Sequence, residues 1–169
     1  AFGPLVSDPE GIFDLPEGFS YNIISRFGDT MDDGFLVPHR HDGMATFPAE
    51  NGHTILIRNH EVNPARGGDE SAFGSDFART SKLNEDDFYD YGVDNNPGQG
   101  GTTTIVYDTE NQELVRHYLS LTGTLRNCAG GPTPWNSWLS CEEIVTHPDD
   151  TYAQSHGYVF EVPARTEPG

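Results

Sequence analysis

Turn-forming residues constrain this chain more than any other feature. Nineteen glycines and twelve prolines are spread through 169 residues with no repeating period, which excludes a collagen repeat and reads as punctuation between short segments. The apolar residues between these breaks fall in runs of strand length. Thr54-Ile55-Leu56-Ile57-Arg58-Asn59-His60-Glu61 is a buried strand with a polar tip, and Gly101 to Asp108 is a second β run. Thr109-Glu110-Asn111-Gln112 then turns the chain into Leu114 to Leu121, which predicts a hairpin. Trp138 to Glu143 and Gly157 to Pro163 follow. The expected class is all-β with long irregular loops.

Three regions follow from this pattern. Residues 1–53 are a turn-rich lead-in in which only Phe19 to Phe27 alternates like a strand. Residues 54–121 form a first β region, interrupted at 62–100 by an acidic insert with no sustained period, and inserts of that length are functional or disordered. Residues 122–169 form a second β region, where Cys128 to Pro134 is expected to be a Gly/Pro loop. The run ending Arg58-Asn59-His60-Glu61 matches in kind the run ending Ser140-Cys141-Glu142-Glu143. Each is followed by an irregular insert and a glycine-led strand. Such repeated β units suggest propeller blades, and this length holds about two to three of them.

Charge narrows the partners. Twenty-seven Asp and Glu against nine Lys and Arg give a formal net charge of −18, which repels nucleic acid and anionic lipid unless cations intervene. No stretch approaches the ~18 apolar residues of a membrane span. Nineteen aromatics are enough for a core. No P-loop, nucleophile elbow or dinucleotide fingerprint is present.

Candidate chemistry sits at strand ends. Asn127 to Glu143 places a thiol, Cys128, in a glycine-rich loop and two carboxylates, Glu142 and Glu143, at a strand end. Thiolate favours softer or redox-active metals and carboxylate favours hard cations. A disulfide between Cys128 and Cys141 is the bland alternative. Consecutive Glu142 and Glu143 should point to opposite faces. Asn59, His60 and Glu61 are either metal or water ligands or a solvated strand tip, and Arg58 holds either phosphate or a structural ion pair. His39-x-His41 beside Asp42 is a weaker metal clip, and Asp94 to Gly98 lacks the spacing of a calcium-binding EF-hand.

Taken in order, Phe2-Gly3-Pro4-Leu5, Asp14 to Tyr21, His41-Asp42-Gly43-Met44, Arg58-Asn59-His60-Glu61, Gly100 to Thr104 and above all Asn127 to Glu143 resemble the PhoX family of bacterial alkaline phosphatases and its wider relatives. The resemblance runs over nearly the whole chain. It differs at Asn136, where glycine is common, and at Gly130, where the best-known phosphatases tend to carry Asn.

The resemblance implies the N-terminal part of a single β-propeller domain with an iron and calcium cluster (Fe3+ and Ca2+) at the top of its channel. It makes Cys128 an iron ligand and Glu143, Glu142 and Glu61 cluster carboxylates. Asn127, Arg58, Asn59, His60 and Asp42 then support the cluster or contact phosphate. It further implies phosphomonoester hydrolysis on a small substrate, export by the twin-arginine route to the periplasm or beyond, and a monomer. Two alternatives without phosphatase activity are a calcium-stabilised propeller module that only binds, and a calcium-dependent propeller esterase or lactonase.

Overall fold

A computed structural model describes residues 2–63 and 68–168. Positions 64–67, which belong to the acidic insert, and the two terminal residues lie outside the described residues. The protein is mostly β, in three antiparallel sheets. The first is a two-residue pairing of β1 (Leu5–Val6) with β2 (Leu15–Pro16). The second is a four-stranded meander, β3 (His41–Pro48), β4 (His53–His60), β5 (Gly100–Asp108) and β6 (Glu113–Thr124), paired in sequence order. The third joins β7 (Asn127–Pro132), β8 (Ser137–Glu142) and β9 (Val159–Pro163). Among the described residues no helix is long and apolar enough to cross a membrane.

The central sheet is covered on both faces, and strand periodicity assigns each side chain to one of them. Ile55 and Ile57 of β4 pack with Phe47, Val106, Trp138 and Val162 in a core shared with the third sheet. The interleaved Arg58 and His60 point the other way, toward the lead-in, where Arg58 reaches Ser25. Beyond them a second core gathers Met31, Phe35 and Val37 of the lead-in with Ala72, Phe73 and Phe88 of the insert, and Leu119 of β6 packs against it. The acidic insert is therefore tied into the fold through its aromatics. Among its described residues, five short 3-10 turns, none longer than three residues, carry it across the surface.

Several sequence expectations change. Phe19 to Phe27 forms no strand. Its apolar residues Phe19, Ile23 and Phe27 are exposed, and the segment is pinned instead by Asp8, whose carboxylate accepts from the Tyr21 hydroxyl at 2.5 Å and from the Ile12 and Phe13 amides. The lead-in does supply a strand, β3, which forms the edge of the meander. An edge position leaves room for Pro48, which cannot donate to a ladder. The segment from Cys128 to Pro132 is strand rather than loop, part of β7.

Candidate metal and phosphate site

Two bulges build the site. The β3–β4 register slips between His41 and Met44, and the β7–β8 register slips between Asn127 and Gly130. Each slip frees residues from ladder pairing and re-aims their side chains, a common device beside active sites. Asp42 and Gly43 occupy one bulge, Cys128 and Ala129 the other. The bulges touch: a Cβ on Gly43 would stand 2.7 Å from the Cys128 carbonyl oxygen, so this approach requires glycine.

Asn59 locks the two sheets at this point. Fully buried, it donates through Nδ2 to the carbonyls of Cys128 and Ala129, both at 3.0 Å. Its Oδ1 accepts from Trp138 Nε1 at 2.9 Å and from Ser140 Oγ at 2.8 Å. Asn127, also fully buried, donates to Ser140 Oγ at 2.9 Å and accepts from Thr124 Oγ1 at 2.6 Å. Every polar atom of the Asn59 carboxamide is satisfied, so this network fixes one backbone geometry around Cys128.

Glu61 and Glu143 lie just past the ends of β4 and β8, and Arg126 brings them together. Its Nη2 is 3.2 Å from Glu61 Oε1 and 2.9 Å from Glu143 Oε2. Both Cys128 and Cys141 are free thiols, so no disulfide joins them. Partial burial pushes the Cys128 thiol pKa up, and the charges of Glu143, Asp42 and Glu61 push it the same way. One thiol and three carboxylates thus share an electrostatic neighbourhood. Asp42 Oδ1 also accepts from the Gly43 amide at 2.6 Å.

Glu142 points away, as strand alternation requires. Its oxygens accept from Leu125 N, His156 Nδ1, Gly157 N and Tyr158 N at 2.6 to 3.1 Å. His156 Nε2 in turn lies 3.1 Å from Asp90 Oδ2, with both side chains at 0% exposure. Burial opposes the charge on His156, but the bonds to Glu142 and Asp90 outweigh it and raise its pKa. Glu142 is thereby the strut that ties the loop after β8 and the acidic insert to the site.

Arg58 and His60 occupy the other face of β4. Arg58 donates through Nη2 to Ser25 Oγ at 2.9 Å and to Thr103 Oγ1 at 3.4 Å, and burial lowers its pKa to about 10. His60 lies 3.0 Å from the His39 carbonyl through Nδ1, so Nδ1 must donate, and Nε2 accepts from the Thr103 hydroxyl at 2.9 Å. That tautomer is neutral, in keeping with a pKa held well below the ordinary value by burial and by the Arg58 charge. The rings of His39 and His41 part company, one edge-on to Phe27 and the other to His60.

Cys128 thus lies within the electrostatic reach of Asp42, Glu61 and Glu143, while Asn59, Asn127 and Glu142 act as supports and Arg58 and His60 lie behind the sheet. Arg126 is the member that sequence reasoning passed over. Its signal was one of only nine basic residues standing directly before Asn127-Cys128. Among the described residues, no three His, Cys, Asp or Glu side chains stand close enough to share one ion. The donor chemistry nevertheless suits a mixed hard and soft cation site, and two of the carboxylates already converge on a positive charge. The cavity of about 480 Å3 beside β6, lined by Phe35, Leu119, Val162 and Arg165 among others, includes none of these residues.

A family model described as alkaline phosphatase PhoX matches residues 1–168. No curated protein and no solved structure matches the chain.

Proposed function

The chain belongs to the PhoX alkaline phosphatase family, and from that premise we propose that it forms part of a metal-dependent phosphatase acting on small phosphomonoesters. The observation that carries this reading is the convergence of Glu61 and Glu143, from adjoining strand ends of two sheets, on the Arg126 guanidinium, with the bulge thiol of Cys128 within the electrostatic reach of both carboxylates. Cys128, Glu61 and Glu143 would hold the cations, with iron suited to the thiolate side and calcium to the carboxylates, and Asp42 beside them. Bound cations supply the positive charge that a chain of −18 lacks and offset charge on the phosphoryl group.

The protein's own part is placement. Asn59 holds the Cys128 bulge rigid, so the thiol cannot drift as charge accumulates near it. Glu142, held by four hydrogen bonds, stabilises the strand end from which Glu143 projects. The four-stranded meander and the sheet that follows it support successive propeller blades, with the site where their bulged strands adjoin. Export to the periplasm or beyond and a monomeric state complete the proposal.

Metal analysis and a phosphomonoesterase assay on the full chain, with a Cys128→Ser variant, test it. Iron and calcium should co-purify with activity, and Cys128→Ser should lose iron while Cys141→Ser keeps it. Active protein free of both metals would overturn the reading.

A further inference from the structure

We propose that the layer between β4 and the lead-in binds a tetrahedral oxyanion, of the phosphate or sulfate class, on the Arg58 guanidinium. This layer lies behind the sheet from the candidate metal site, so the proposal does not depend on the metal reading. Arg58 is a buried charge without a counter-charge. It is 7% exposed, and among the described residues no carboxylate pairs with it. Its hydrogen bonds go to two neutral hydroxyls, Ser25 Oγ and Thr103 Oγ1, and its Nε is buried with no partner. A charge held this far from water without an opposite charge is costly to the fold.

Donors outnumber acceptors in this layer. Arg58 leans over Thr103, its ladder partner on β5, toward β6. There Leu119 stands opposite Thr103, and His117 follows two positions away on the same face. His117 is 3% exposed, its Nε2 has no partner, and burial and the Arg58 charge lower its pKa to about 4. His39, on the lead-in side, leaves Nδ1 buried and unpartnered as well. Three of the five such atoms among the described residues are therefore nitrogens of this one layer. The nearby oxygens are already engaged: the Pro38 and His39 carbonyls by His41 and His60, the Thr103 hydroxyl by His60 and Arg58, the Ser25 hydroxyl by Arg58, and Asp32 Oδ2 by the His117 amide.

Water would satisfy these donors but leave the charge standing. A tetrahedral oxyanion does both, because its oxygens accept several N–H bonds at once and its charge answers the guanidinium, whose planar fork matches phosphate. The segment Phe19 to Phe27, which reaches Arg58 through Ser25, belongs to no strand. No ladder has to open for an anion to enter.

Thermal unfolding and calorimetric titration of the full chain with inorganic phosphate or sulfate test this, against chloride at equal ionic strength. Wild type is compared with Arg58→Met and with the double variant Glu61→Gln/Glu143→Gln. The melting temperature of wild type should rise with phosphate or sulfate and not with chloride. Arg58→Met keeps the apolar stem and removes the charge, so it should melt no lower than wild type in anion-free buffer and bind phosphate at least about tenfold more weakly, as for the loss of a charged hydrogen bond. The double variant, altered only at the candidate metal site, should respond like wild type. No response in wild type would mean that water fills the layer and would overturn the proposal. A response that survives in Arg58→Met, or that disappears in the double variant, would put the anion elsewhere and overturn it too. Should either variant fail to fold, the Arg58 Nε–Hε resonance of wild type decides: it should shift as phosphate is added, and a stationary signal would sink the proposal.

Discussion

Asn59 and Cys128 are 69 positions apart in the chain, and the buried carboxamide of Asn59 donates to the Cys128 carbonyl at 3.0 Å. The contact joins the tip of β4 to the bulge in β7, so the conformation of the thiol-bearing bulge depends on a residue of another sheet.

Replacing Asn59 should therefore cost stability and site geometry together. Asn59→Ala leaves the Trp138 Nε1 donor and the Cys128 and Ala129 carbonyls without their partner in a buried setting. The loss should be about 2–4 kcal/mol, read as a lower midpoint in urea denaturation. Alkylation of Cys128 in the native state should also quicken, because the bulge is no longer held. An unchanged midpoint would remove Asn59 from this role.

Gly130 and Gly131 form a paired test of the same bulge. A Cβ on Gly130 would lie 1.7 Å from the Leu139 carbonyl oxygen, whereas one on Gly131 meets nothing within 4 Å. Gly130→Ala should break the β7–β8 register at a cost of about 3 kcal/mol, the upper range for overpacking. Gly131→Ala should stay within about 0.5 kcal/mol, because the added methyl meets no neighbouring atom. Thermal melts of the two variants would separate them.

The buried histidines predict acid sensitivity. Burial and the charge of Arg58 lower the His117 pKa from 6.5 to about 4, and His60 is lowered likewise. Above pH 6.5 neither folded nor unfolded imidazole is protonated. As pH falls through 6.5 toward 4, the unfolded chain takes up protons that the folded one refuses, so stability falls with pH, by up to about 1.4 kcal/mol per pH unit for each group. Urea denaturation at pH 7, 6 and 5 should show this loss, and His117→Gln should reduce its slope. His156 acts in the opposite sense. Its raised pKa adds stability that is fully present below pH 6.5 and is lost as pH rises through the folded value. His156→Gln should flatten the alkaline side of the profile.

Much of the fold was legible because β periodicity is local. Ile55 and Ile57, the threonine run ending in Ile105 and Val106, and the hairpin after Asp108 carry their strand character in adjacent residues, and all appear where expected. Phe19 to Phe27 alternates as well, yet no neighbouring strand offers it a ladder. Conversely, His41 to Pro48 contains a glycine and a proline that argue against strand, and pairing with β4 overrides them. The same holds for the Gly-rich start of β7, paired with β8.

The site divides along the same line. From sequence came the thiol, the two strand-end carboxylates and the rule that Glu142 and Glu143 face apart, because residue type and two-residue alternation are properties of the chain itself. Tertiary structure alone decided which glutamate joins the thiol, that Arg126 stands between Glu61 and Glu143, and that Arg58 and His60 lie behind the sheet. Alternation fixes that neighbours point apart without saying what either will meet. What they meet depends on two bulges and on contacts between residues tens of positions apart, which come into being only when the sheets pack.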